Sequence, residues 1–413
     1  MYFFRVFVSL LVCSMWSCAT NETATSVNED ELRQKAIKLA HETIITDGHV
    51  DLPYRLRIKH FRLEREFLGI PIQSNEGDFD YERAKKGGLD APFMSIYIPA
   101  DQQLKSDHGK SLADSLINMI HGITEAHPDK FQYAGSPEEV EKNFRKGIIS
   151  LPMGMENGAP IGEDLSNVKY FYDRGIRYIT LTHSKDNQIS DSSYDTLNTH
   201  NGLSPFGETV VAEMNRVGVM VDVSHISDSA FYDVMKITKA PVIASHSSCR
   251  FYTPGFQRNM SDDMIKELAK NDGVIQINFG ASFIDSVART NSALLDSLEN
   301  KLKQEGLTSS DSAAQPIIDQ FARDHKELYS DVERVADHID HVVKLVGINH
   351  VGLGSDYDGV GDTLPIGLKD VSQYPNLIFV LLKRGYSDED IAKICSGNVF
   401  RVWNKVIAVA NAQ

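Results

Sequence analysis

The sequence predicts an α/β chain whose short parallel strands alternate with helices and close into a (β/α)8 barrel. Three observations carry that expectation. Apolar runs too short to be buried helices fall at 44–47, 93–98, 149–155, 178–181, 219–223, 242–244, 274–278 and 351–354, with helical periodicity between them; this alternation is the mark of βαβ units. A glycine followed by a β-branched residue recurs at Gly147-Ile148, Gly175-Ile176, Gly218-Val219, Gly273-Val274 and Gly347-Ile348, as where a helix ends in a left-handed residue and a strand begins at once. No repeat or linker divides residues 31–413, a span that suits a single barrel domain. An open, doubly wound sheet has the same alternation and is the alternative.

Residues 1–17 carry one positive charge, at Arg5, and an apolar run too short for a comfortable membrane span, which predicts an export signal. The run closes on Ser17-Cys18. A small residue before such a cysteine resembles a bacterial lipoprotein signal, with Cys18 lipidated as the new N-terminus; an ordinary cleaved signal is the alternative. Either places the protein outside the cytoplasm, and the first anchors it to a membrane at a periplasmic or outer surface. Residues 18–30 are polar and suit a solvated tether. Farther on, Ser136-Pro137-Glu138-Glu139 has the cap, early proline and acid of a helix start. Residues 281–329 follow the seventh run as an insertion with a helical stretch at 294–303. An insertion there lies over the face where barrels hold their sites, as a lid or a subunit contact. The net charge of −15, without basic clusters, excludes a nucleic-acid partner. Only Cys249 and Cys395 of the four cysteines lie in the body, which excludes a disulfide framework and leaves the pairing of those two open.

Barrel sites are built from the C-terminal ends of the strands, and there the sequence sets its histidines and acids. His49 and Asp51 follow the first run, Glu156 the third, His183, His225 and His246 the fourth, fifth and sixth, and Asp356 the eighth. Residues two apart on an extended chain share a face, so His49 and Asp51 can grip one ion. Alone the pair is weak, because a histidine at a strand end is ordinarily a hydrogen-bonded structural residue. His225 and His246 end neighbouring strands about 4.8 Å apart and can share a second ion. Glu156 can join both, one oxygen to each; without the histidines it would read as a helix cap or a loop acid. A water between two dications gives up its proton near neutrality, and the ions stabilise the oxyanion of amide hydrolysis. Imidazole and carboxylate donors without thiolates suit zinc, and cobalt or manganese would also bind.

The segments Asp47-Gly48-His49-Val50-Asp51-Leu52-Pro53, Gly154-Met155-Glu156-Asn157-Gly158, Leu181-Thr182-His183, Asp222-Val223-Ser224-His225, Ser245-His246-Ser247-Ser248, Arg258-Asn259 and Gly354-Ser355-Asp356-Tyr357-Asp358-Gly359 span nearly the whole mature chain. In that order they resemble the membrane (renal) dipeptidase family of zinc peptidases. The resemblance implies a barrel of the metallo-dependent hydrolase type with two Zn2+ ions per chain, one on His49, Asp51 and Glu156, the other on Glu156, His225 and His246. It further implies that His183 contacts the substrate carbonyl and steadies the oxyanion. Arg258 would bind the free carboxylate of a dipeptide, and Asp356 would take the proton of the attacking water and pass it to the leaving amine. Spacing alone would turn Asp358 the same way, so the motif selects Asp356. A homodimer is expected from the resemblance only.

Two features depart from the family's pattern: Pro92-Phe93-Met94, where the family has a Gln-Phe-Trp-like segment, and the length of 281–329. Both bear on substrate preference and leave the metal set intact. The C-terminal tail lacks the spacer and apolar run of a lipid-anchor signal, so any attachment is expected at the other end. The expected activity is zinc-dependent hydrolysis of dipeptides with a free C-terminal carboxylate. A barrel amidohydrolase acting on another amide, lactam or lactone is the alternative. A non-catalytic surface binding protein is a third reading, disfavoured because every expected catalytic residue is present.

Overall fold

The computed structural model describes residues 19–58, 72–308, 311–325 and 329–412; the expected export signal at 1–17 and Cys18 lie outside them. Helix Ala19–Glu42 runs through the polar stretch 19–30. No described helix is long and apolar enough to cross a membrane.

Strands β1 (Ile45–Val50), β2 (Leu89–Tyr97), β3 (Met153–Glu156), β4 (Ile176–Thr180), β5 (Met220–Asp222), β6 (Ile243–Ser247), β7 (Val274–Ile277) and β8 (Val351–Leu353) form one sheet in chain order, each parallel to the next. The sheet returns to its start just past β8. There the Tyr357 carbonyl accepts from the Asp51 amide at 2.8 Å, and the His49 carbonyl from the Asp356 amide at 3.1 Å. The architecture is therefore the nearly closed barrel and not the open sheet. Helices cover its outside, so the strands are buried at almost every position, which is why they read as unbroken apolar runs.

Residues 149–155 do not form one strand. Ile149–Ser150 pairs with Phe131–Gln132 in a separate ribbon, and β3 begins only at Met153. Pro152 stands between them and has no amide hydrogen to give a ladder. The helix start at Ser136 forms as expected, with the Ser136 side chain accepting from the Glu139 amide. Gly147, Gly175, Gly218 and Gly347 take positive φ, but before β7 it is Asp272 that does so, with φ 64°. Gly273 serves for space instead: a Cβ there would lie 2.6 Å from the Val242 carbonyl oxygen. Cys249 and Cys395 are buried free thiols.

The barrel floor is filled by Phe93, Tyr178, Met220, Ile243 and Val274 from the strands, closed by Trp403 of helix Asn398–Asn411. The Phe93 and Trp403 rings stand 5.2 Å apart. The departure at Pro92-Phe93-Met94 therefore falls in packed interior, with Phe93 in this floor and Met94 buried in the larger cluster, and does not line the cavity described below.

One acid is buried at the start of the sheet. Asp90 accepts from the Ile45 amide at 3.1 Å, and burial pushes its carboxyl up to about 7. In the unfolded chain its value is about 3.9, so from about pH 4 to about pH 7 the folded chain keeps a proton that the unfolded chain has lost. The resulting stability is full below about pH 4 and is lost as pH rises through about 7, by about 4 kcal/mol in all. Asparagine keeps the acceptor without the charge. Asp90→Asn should therefore melt above the wild type at pH 8 and level with it at pH 4, and equal melting temperatures at pH 8 in calorimetry would refute this.

Candidate metal centre

His49 lies near the end of β1 and Asp51 follows it; Glu156 ends β3, His246 lies near the end of β6, and His183, His225 and Asp356 stand just beyond β4, β5 and β8. All converge on one rim, with Glu156 in the middle. Its Oε2 is 3.3 Å from His49 Nε2, which is 3.4 Å from Asp51 Oδ2. Its Oε1 is 3.0 Å from His225 Nε2, 3.3 Å from His246 Nε2 and 3.6 Å from His183 Nε2. The Nε2 atoms of His225 and His246 are 2.9 Å apart. Two nitrogens this close cannot both point hydrogens at each other, so at least one presents a lone pair. Donors around a tetrahedral zinc with bonds of about 2.0–2.1 Å stand about 3.3 Å apart, and these spacings fit. Three groups bring three donor atoms within 4.8 Å of one another: His49, Glu156 and His246; Glu156, His183 and His225; His49, Asp51 and Asp356.

The electrostatics suit a cation. Burial, then Arg258 and His183 for His225 and His49 and Arg258 for His246, holds the two imidazoles well below their ordinary value, which favours the neutral form that binds metal. Burial opposes ionisation of Glu156, yet the imidazoles around it, His49 and His183 first and then His225 and His246, hold its carboxyl well below the usual range. Asp356 goes the other way: burial, reinforced by Asp51 and Glu156 and resisted by His49, pushes it up to about 7, while Asn278 donates to its Oδ2 at 2.8 Å. Backbone strain gathers at the same rim. Asn157, His225, Asp356 and Asp358 have φ of 77°, 68°, 65° and 66°, a conformation costing non-glycine residues about 1 kcal/mol or more each. Those turns break the strand alternation, so Asp358 does not join Asp356. It pairs with Arg55 Nε at 3.0 Å and accepts from the Asp78 amide at 2.6 Å. Gly359 follows because a Cβ there would stand 2.3 Å from both Asp356 Oδ1 and Asp51 Oδ2.

Arg258 is 3% exposed. It donates to Ser247 Oγ and to the His246 carbonyl, both at 2.7 Å, while its Nε has no hydrogen-bond partner among the described residues. Among the described residues no carboxylate lies within 4.0 Å of it. A buried guanidinium without an acid is a poor structural element and a good anion receptor. A cavity of about 620 Å³ opens over the cluster, with Asp51, Glu156, His183 and Asp356 at its base and Tyr54, Tyr97, Tyr194 and Phe283 as aromatic walls. Ser282, Phe283 and Ser292 line it from helices Ala281–Ile284 and Ser286–Gln304, so the insertion after β7 is one wall of the cavity.

Two further acids, Asp47 and Asp222, hold these ligands in place. Fully buried Asp47 accepts from the His49 and Ser355 amides, both at 2.9 Å. Fully buried Asp222 accepts from the Ser224 amide at 3.0 Å and the Ser245 amide at 2.9 Å. Each ties the end of its own strand to a neighbour. Their signal in the sequence is an acid inside an apolar strand, where it needs several donors.

The sequence pattern of the Membrane dipeptidase family (Peptidase family M19) matches residues 33–413. The chain belongs to this family. It is 35% identical over 389 residues to the dipeptidase verJ of Clonostachys rogersoniana, covering 92% of this chain and 89% of that one. The probable dipeptidase PvdM of Pseudomonas aeruginosa superposes with a TM-score of 0.76 at 26% identity, over 92% of this chain and all of that one. A metallopeptidase of Rhodobacter sphaeroides, solved with a phosphinate mimic of the dipeptide L-Ala-D-Ala, superposes with a TM-score of 0.71 at 25% identity, over 88% and 99%. This membrane dipeptidase family member is thus a hydrolase of the metallo-dipeptidase class, and the cluster around Glu156 is the candidate place for its metal.

Proposed function

We propose that the chain holds two Zn2+ ions, one through His49, Asp51 and Glu156 and one through Glu156, His225 and His246, and hydrolyses dipeptides that carry a free C-terminal carboxylate. The observation that carries this reading is Glu156, whose oxygens face His49 on one side and His225 and His246 on the other at 3.0 to 3.3 Å. Two dications held there would supply a water that ionises near neutrality and positive charge for the oxyanion. Arg258 anchors the substrate carboxylate, for which its Nε–H has no hydrogen-bond partner among the described residues. His183, lowered by burial from its ordinary value, is neutral and donates from Nε2 to the scissile carbonyl oxygen. Asp356, pushed up to about 7 by burial, accepts the proton of the attacking water and returns it to the departing amine. The dipeptide mimic bound by the Rhodobacter sphaeroides relative supports the substrate class.

A dipeptide panel tests this reading. Activity should vanish with a chelator and return with zinc. Arg258→Ala should raise KM for dipeptides about 30- to 1000-fold, the equivalent of about 2–4 kcal/mol for a buried charge-assisted contact. The same substitution should leave the slow turnover of dipeptide amides unchanged. Dipeptide KM values unaltered by Arg258→Ala would reject the carboxylate role and favour an uncharged amide, lactam or lactone substrate.

A further inference from the structure

Of the imidazoles at the rim, His49 and His246 are backed on the nitrogen facing away from Glu156, and His183 and His225 are not. His49 Nδ1 lies 2.8 Å from the Tyr178 hydroxyl, which lies 3.1 Å from the Gly48 carbonyl oxygen. His246 Nδ1 lies 2.7 Å from Ser245 Oγ, which lies 2.7 Å from Asp222 Oδ2. Among the described residues the Nδ1 atoms of His183 and His225 have no hydrogen-bond partner.

The direction of each chain of hydrogen bonds follows from its far end. A carbonyl oxygen only accepts, so the single Tyr178 hydroxyl hydrogen goes to Gly48, and the phenol oxygen must accept from Nδ1–H of His49. Asp222 accepts two amide hydrogens on Oδ1 and, on Oδ2, the hydroxyls of Ser245 and Thr180. That set of donors suits an ionised carboxylate, so Ser245 gives its hydrogen to Asp222 and accepts from Nδ1–H of His246. With a hydrogen held on Nδ1, the nitrogen left to offer a lone pair to a cation is Nε2. Those are the atoms that face Glu156 at 3.3 Å in both residues. The barrel makes room for one of these supports: a Cβ at Gly154 would lie 1.9 Å from the Tyr178 ring, so the tyrosine reaches across β3 only because a glycine stands there.

We infer that Tyr178 and the Ser245–Asp222 pair are positioning residues that set the tautomers of His49 and His246, one for each metal position, and that His225 has no such support on its Nδ1. The inference rests on the two-ion reading above. Such supports are worth about 10- to 100-fold in metal affinity.

The test is zinc titration of the full chain against a chromophoric chelator, with thermal melting of each metal-free variant as the control for folding. Tyr178→Phe keeps the ring in its slot and should weaken one ion about 10- to 100-fold while the other binds as in the wild type. Ser245→Ala should weaken the opposite ion, and Ser245→Thr, which retains the hydroxyl, should restore it. Wild-type affinity for both ions in Tyr178→Phe and Ser245→Ala overturns the inference. Histidine-selective 1H–15N correlation spectra of the metal-free chain decide it separately. Hydrogen on Nδ1 of His246 in the wild type, lost as the preferred tautomer in Ser245→Ala, supports it, and hydrogen on Nε2 in the wild type overturns it. A wild type that binds no zinc while showing the Nδ1 tautomer rejects the two-ion reading and leaves the positioning role standing.

Discussion

Glu156→Gln should fold, lose at least one of two zinc ions, and hydrolyse dipeptides at least about 1000-fold more slowly, a loss of about 4 kcal/mol in transition-state stabilisation. The substitution is nearly isosteric, so the barrel keeps its packing. What changes is the donor set. A carboxylate offers an anionic oxygen to each side, whereas a carboxamide offers one neutral oxygen and one NH2 group. If the amide oxygen faces His225 and His246, the NH2 faces His49; if the amide is turned, the NH2 faces the other pair. In either orientation one position loses a ligand and gains a donor hydrogen aimed where a cation would sit. Zinc content by atomic emission after gel filtration, read beside initial rates, checks this. Two ions retained in the variant would remove Glu156 from the bridging position.

The barrel was legible because its physics is local. Apolar runs buried on both faces and glycines at helix ends mark strands one at a time, and the eight runs in chain order leave few topologies. The rim was legible for a related reason: strand C-termini are where a barrel presents side chains, so histidines and acids at those positions nominate themselves. Where position is set by contact across the barrel, sequence carries little. Tyr178 reads as a core aromatic of β4, and nothing in its neighbours announces that its hydroxyl crosses to His49. Asp358 reads as a partner of Asp356 by spacing, and only the positive φ at both residues turns it toward Arg55. Pro152 was the missed local signal, since a proline inside an apparent strand marks its break. His183 stands 3.6 Å from the Glu156 oxygen that His225 and His246 also face, so its role apart from the five proposed ligands comes from the motif and not from distance.

Asp356 lies in one donor group with His49 and Asp51, and Asp356→Asn separates a ligand from a proton carrier. As a proton carrier outside the metal set, Asp356 should lose kcat by about 100- to 10,000-fold on substitution with KM little changed and two zinc ions retained. The fold should tolerate the change, because the asparagine oxygen can still accept from Asn278 Nδ2. The pH profile adds a sign. Burial pushes the carboxyl up to about 7, and positive charge bound beside it lowers that value, so the wild-type rate should fall as pH drops through a pKa at or below about 7. Asparagine has no proton to lose, so the residual activity of the variant should lack that acid limb. A variant that keeps the limb assigns it to another group. A variant that loses zinc together with rate places Asp356 among the ligands with His49 and Asp51 and leaves the proton transfer to a different residue.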